Sequence, residues 1–266
     1  MKDVRIEEII AALEEVVPLS WQEDFDNAGL LCGDKMAICS GVFVCFDVCD
    51  MAIEMAIKNK CNLIISHHPL VFRGLKKFTG NDNVTKTLLK ALKNDIAVYA
   101  AHTNLDAAFS IGVNTTLAEK LGLKNVRPLH SDSRNEQGYF GIGGIGELEQ
   151  ETDYKDFLLN VKKSLNVNNI KFVEGEKQKI KTVAFCGGSG SEFVEKAIEL
   201  NADCYLTGDI KYHQFLDCEG RILLADIGHF ESESFIIDQL ISLLSEKFCN
   251  FVRLFRSEIP NKVKNI

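Results

Sequence analysis

The sequence predicts an α/β protein made of two related units, with mostly parallel sheets flanked by helices. Three observations carry this. Short apolar runs alternate with stretches of helical periodicity, the pattern of βαβ units. The second half of the chain repeats the first in outline. The 266 residues are enough for one large core or two smaller ones, and the repeat favours two.

Residues 4–17 place apolar side chains at Ile6, Ile9, Ile10, Leu13 and Val17, the spacing of a helix with one buried face, and Pro18 stops it. A loop, WQEDFDNAGLLCGD, follows. The chain then alternates through an apolar run at 42–46, a helical pattern at 51–60 and a second run at 63–65 that ends on His67. A helix at 84–94 leads to a run at 96–101 that ends on His102. In parallel sheets ligands gather at the carboxyl ends of strands, where both histidine groups fall.

The repeat aligns VFVC at Val42 with VAFC at Val183, EMAI at Glu54 with EKAI at Glu195, and NLIIS at Asn62 with DCYLT at Asp203, in register and without a gap. At that register His67 and His68 stand opposite Gly208 and Asp209, and the His102/Asp106 pair is echoed by His229/Glu233. Two such halves are expected to pack about a pseudo-dyad with their ligands meeting at the junction. The middle region carries a glycine-rich strand (GYFGIGGIGEL), a helix at 153–165 and a strand (IKFVEG). No helix begins at those glycines, so they read as bulges or close packing rather than a phosphate loop. A helix at 235–248 and a strand-like NFVRLF end the chain.

A net charge of −8 argues against general affinity for nucleic acid or an anionic membrane. The opening segment carries acids through its apolar run, unlike a signal peptide, and no stretch is long and apolar enough to span a bilayer. The expected location is the cytoplasm. The nine cysteines form no CxxC and sit mostly in apolar runs, so they read as small buried hydrophobes in a reducing compartment.

Four of the six histidines fall into three groupings: the adjacent His67 and His68, the pair His102 and Asp106, and the pair His229 and Glu233. Four-residue spacing on a helix puts His229 and Glu233 on one face. Adjacent histidines at a strand end, directly before Pro69, diverge and suit two neighbouring ions better than one. Imidazole and carboxylate donors without thiolate suit zinc, manganese, iron, cobalt or nickel. Two such ions favour hydrolysis at phosphorus or carbon. His102 is a candidate to orient substrate or to support a ligand. Asp209 and His213 are candidates to line the same site from the second half, and Arg73, Lys76 and Lys77 to meet a phosphate.

The motifs DNAGLLCG, SHHPLVF, AHTNLDAA, KTVAFCGGSGS, TGDIKYH and DIGHFESE, in this order over nearly the whole chain, resemble the GTP cyclohydrolase 1 type 2 homologues, the NIF-three-like proteins. The resemblance implies two intertwined α/β units, two divalent metals at their junction and a homohexamer. Carried over, it implies one ion on His68, Asp106 and Glu233 and another on His67, His229 and Glu233, with Glu233 bridging. The middle region is short beside members that carry a large inserted domain. The expected units are 1–128 with 228–266, and 129–227. The function expected is a dinuclear metal-dependent hydrolase of a nucleotide or phosphorylated small molecule, with Glu233 and His102 in catalysis and Arg73, Lys76, Asp209 and His213 on the substrate. The alternative is a metal-holding, non-catalytic regulatory protein.

Overall fold

The structure, a computed structural model, describes residues 3–131, 140–248 and 251–264. Gly138 and Tyr139 of the glycine-rich segment and Asn250 of the terminal one lie outside these. In chain order the elements are α1 Ile6–Glu14, β1 Gly29–Cys32, β2 Val42–Cys45, α2 Asp50–Lys58, β3 Leu63–Ser66, α3 Asn83–Lys93, β4 Ala97–Ala100, α4 Thr103–Asp106, α5 Val113–Lys120, β5 Lys124–His130 and β6 Ile142–Asp153. They continue with α6 Tyr154–Ser164, β7 Lys171–Val173, β8 Lys179–Ser189, α7 Val194–Glu199, β9 Cys204–Gly208, α8 Tyr212–Cys218, β10 Leu223–Asp226, α9 His229–Glu233, α10 Ile236–Phe248 and β11 Leu254–Arg256.

The chain divides into two compact units, 1–105 with 236–260, and 106–235 with 261–266. The division falls at 105/106 and 235/236 rather than at the expected 128/129 and 227/228. The reason is pairing: β5 joins β6 antiparallel, and α5 and α9 pack on the sheet that holds β8. Residues 106–128 and 228–235 therefore belong with the second sheet.

The first unit holds a sheet of order β1-β4-β3-β2-β11. Its β2, β3, β4 and β11 run parallel, and β1 is antiparallel to β4. β2, β3 and β4 are buried along their whole length, as continuous apolar runs in a covered parallel sheet must be. One core combines Phe43, Ile64 and Val98 with Ile53 and Ala56 of α2 and Leu88 and Ala91 of α3.

The second unit holds a sheet of order β5-β6-β8-β9-β10-β7. β8, β9 and β10 are parallel, whereas β5, β6 and β7 join antiparallel, so only the centre of this sheet follows the expected parallel pattern. Phe185, Leu206 and Ala225 pack with Phe157 and Val161 of α6 on one side, and Ala184, Tyr205 and Leu224 with Val194 and Ala197 of α7 on the other. The glycine-rich segment lies inside β6. A side chain at Gly144 would occupy the space of the Phe185 ring, and Gly143 sits at φ 61°, where a Cβ would press on the Phe185 carbonyl oxygen.

The internal repeat is visible in the ladders. Val42 pairs with Leu63 as Val183 pairs with Cys204, and Ser66 pairs with Ala100 as Thr207 pairs with Asp226. A polar tie repeats at the same offset: the Ser40 N–H donates to Asn62 Oδ1, and the Lys181 N–H to Asp203 Oδ2.

Candidate metal centre

In the first unit, β3 and β4 deliver three imidazoles at their carboxyl ends. The His67 and His68 N–H groups donate to the carbonyls of Cys45 and Phe46, which extends the β2–β3 ladder past Ser66 and fixes both side chains against the Phe46 ring. His67 is fully buried, and His68 and His102 are partly open. The three ring centroids lie 5.0 to 5.4 Å apart. Each ring offers a nitrogen within 4.8 Å of the other two, so this cluster could hold a metal ion. The strand alternation expected to splay His67 from His68 does not carry their nitrogens beyond a shared reach.

Each ring is fixed at one nitrogen. His67 Nδ1 lies 3.0 Å from the Ala101 carbonyl oxygen. His68 Nδ1 lies 2.8 Å from Asp47 Oδ1, and His102 Nδ1 lies 2.7 Å from Asp26 Oδ1. An oxygen acceptor at Nδ1 favours the tautomer with its hydrogen there, the form in which a histidine ligates through Nε2.

Asp26 is a support of the His102 ring that spacing did not reveal. Its fully buried side chain also accepts from the Thr103 N–H at 3.0 Å and from Thr103 Oγ1 at 2.5 Å. Burial opposes its ionisation. The hydrogen bonds from His102 and Thr103, with the charge of the imidazole, outweigh that and hold the carboxyl at about 2. An ionised Asp26 thus fixes the start of α4 and the His102 ring together.

In the second unit, β8, β9 and β10 end around α9. The Gly188 N–H donates to Ser232 Oγ at 2.9 Å, and Ser232 Oγ donates to the His229 carbonyl, so the glycine turn of β8 clamps the short helix. Gly188 has φ 63°, and a Cβ there would collide with the Glu233 carboxylate. This glycine is what lets Glu233 lie buried against the strand.

His229 and Glu233 share one face of α9 as expected, with Nε2 3.0 Å from Oε2. Nδ1 lies 2.7 Å from Asp209 Oδ2. With the Nδ1 hydrogen committed to Asp209, Nε2 turns a lone pair toward a carboxylate, and a proton or cation must sit between them. A carboxylate oxygen of Asp106, the last residue of α4, lies within 4.8 Å of one of Glu233. Burial first, then the charges of Asp106 and Glu233, push the Cys186 thiol well up, which marks a concentration of negative charge at the end of β8.

Asp209, expected to line a substrate site, sets its carboxylate against His229 Nδ1. It stands at φ 56°, and it occupies the position that repeats His68. His213 is exposed on the first turn of α8, and Arg73, Lys76 and Lys77 are exposed in the loop after β3. The described cysteines are free, most of them buried, as expected of small hydrophobes. Among the described residues no helix is long and apolar enough to cross a membrane.

The chain is similar to proteins of known sequence and structure. A Clostridium acetobutylicum protein named GTP cyclohydrolase 1 type 2 homolog is 35% identical over 231 residues, covering 86% of this chain and 85% of the relative. A Clostridium perfringens protein of the same name is 32% identical over 256 residues, covering 96% and 97%. The crystal structure of the Staphylococcus aureus hypothetical protein SA1388 superposes with a TM-score of 0.89 at 29% identity, covering 100% of both chains. The Duf34/NIF3 (NGG1p interacting factor 3) family matches residues 4–262, and the chain belongs to that family.

Proposed function

We propose that this chain is a dinuclear metal-dependent hydrolase of a nucleotide or another phosphorylated small molecule. The observation that supports it best is the common anchoring of His67, His68, His102 and His229 through Nδ1. Four rings anchored this way share the tautomer in which a histidine ligates through Nε2, an arrangement that burial or packing alone does not require. In this reading His67, His68, Asp106, His229 and Glu233 hold two divalent ions, with Glu233 shared. Asp106 follows His102 by four residues. Four residues of fully extended chain span at most about 14 Å, so Asp106 is tethered to His102 along the sequence. The donor set suits zinc, manganese, iron, cobalt or nickel.

Divalent ions bound there supply Lewis acidity and acidify a coordinated water. The residues do the rest. Asp209, Asp47 and the Ala101 carbonyl hold His229, His68 and His67 in the ligating tautomer, and the Gly188 turn keeps Glu233 buried. His102, backed by the ionised Asp26, holds or passes a proton at Nε2. Arg73 and Lys76 meet substrate phosphate, and His213 lines the approach. The relatives' name points to attack on the guanine ring of GTP, one reaction within this class. A homohexamer in the cytoplasm is the assembly and location that accompany the reading.

The family description, an interacting factor, supports a second reading in which the ions are structural and the protein acts through partners. One experiment separates the two. The metal-loaded protein and Glu233→Gln are assayed against a panel of nucleotides and phosphoesters. Turnover that Glu233→Gln abolishes is expected; a panel with no Glu233-dependent turnover would leave only the second reading.

A further inference from the structure

The loop containing Phe25 and the loop that follows His68 are joined beside the imidazole cluster. Asn27 Nδ2 donates to the Val71 carbonyl at 2.6 Å, and Ala28 is held by Gln22 Oε1 at 3.0 Å. Leu70 is buried, and Val71 and Leu75 pack on the core of the first unit, so the second loop is anchored from beneath. Between these anchors Phe72 points outward. Its ring lies 6.3 Å from that of Phe25, tilted by 51°, and meets the His102 ring edge-on at 6.2 Å.

Phe25 is 64% exposed and Phe72 42% exposed. Two exposed aromatic rings in mutual contact, carried on hydrogen-bonded loops beside a partly open imidazole, cost hydration free energy that the fold does not recover. The same loop bears Arg73, Lys76 and Lys77, which make no ion pair among the described residues, in a chain whose net charge is −8. Apolar rings flanked by free cations complement a ligand with a planar π-face and an anionic group.

We propose that Phe25 and Phe72 form a stacking platform for the base of a nucleotide whose phosphate is met by Arg73 and Lys76. The proposal rests on the hydrolase reading for the phosphate-bearing class of ligand, and it adds what selects within that class. Stacking is indifferent to base identity because every base has a π-face, so the platform distinguishes nucleotides from sugar phosphates rather than one base from another.

The test measures binding apart from turnover. The full chain, kept in EDTA, is titrated by calorimetry with adenosine or guanosine 5′-monophosphate and, separately, with ribose 5-phosphate. Both nucleotides are expected to bind more tightly than ribose 5-phosphate by at least about tenfold, the scale of one base stacked on an aromatic side chain. Phe25→Ala and Phe72→Ala should each erode that ratio, Phe72→Tyr should keep it, and Arg73→Ala with Lys76→Ala should weaken both ligands together.

Equal or undetectable binding of nucleotide and ribose 5-phosphate would overturn the proposal, as would a ratio that survives both alanine variants. Sedimentation of the same variants tests the other occupant of an exposed aromatic pair. A smaller assembly for Phe25→Ala or Phe72→Ala would show that a second copy of the chain covers these rings, and would also overturn it. If the ratio appears while no substrate is turned over, the platform stands and the hydrolase reading fails.

Discussion

Asp209 holds the imidazole of His229 from behind, its carboxylate 2.7 Å from Nδ1 while Nε2 faces Glu233. The support is placed by an unusual backbone: Asp209 has φ 56°, a conformation that Asp, Asn and Gly accept far better than other residues. Asp209→Gly therefore removes the carboxylate without straining the turn. It should weaken metal binding by about 10- to 100-fold, the usual loss when a ligating histidine loses its partner. Competition against a chromogenic chelator reads this directly, and an unchanged affinity would mean that His229 does not ligate.

Gly188 tests the other side of the same helix. Gly188→Ala must adopt a left-handed φ and push its Cβ into the Glu233 carboxylate. A destabilisation of about 1–3 kcal/mol is expected from the backbone alone. Thermal unfolding would show it, and metal titration of the surviving folded fraction should show weaker binding. A variant as stable and as metal-competent as the parent would mean that Glu233 does not need this seat.

The sequence disclosed the core of each unit more readily than its edges. β2, β3, β4, β8 and β9 are apolar runs, and the repeat between them is borne out by identical pairing of Val42 with Leu63 and of Val183 with Cys204. β1 was hidden in what reads as a loop. It is a short edge strand with a bulge between Leu30 and Cys32 and only Gly29 buried, so it has no periodicity to detect. The ligand candidates stand out because histidines cluster along the chain. Their supports do not. Asp26 lies 76 residues from His102 and Asp47 lies 21 from His68, and a lone aspartate in a loop carries no signal until folding brings it to a ring.

His102 and Asp26 give a kinetic prediction. His102→Gln should lower turnover by about 10²- to 10⁴-fold, the range for losing a positioned proton carrier, while metal content stays at the parental level. Asp26→Asn should fall between the two. Steady-state rates paired with metal analysis check this, and a His102→Gln variant that loses its metal would place His102 among the ligands.

Asp203 offers a stability prediction with a definite sign. Burial raises its pKa, but hydrogen bonds from Lys177 and from the N–H groups of Thr182 and Lys181 outweigh this and lower it. The folded value then lies below the unfolded one of about 3.9. The stabilisation is fully present above that unfolded value and is lost as pH falls through the folded one. Asp203→Ala should cost about 1–3 kcal/mol at neutral pH by leaving two N–H groups without their acceptor. Its denaturation curves should approach those of the parent as the medium is acidified below pH 4 or so. A gap that widens with acid would contradict the assignment.

The central claim is that His67, His68, Asp106, His229 and Glu233 act together on two cations, and metal analysis of protein purified without an affinity tag tests it most directly. The parent should carry two equivalents of divalent metal per chain, and Glu233→Gln, which removes the shared ligand, should lose both. A parent that retains no metal under non-chelating conditions, or a Glu233→Gln variant that keeps the parental content, would contradict it.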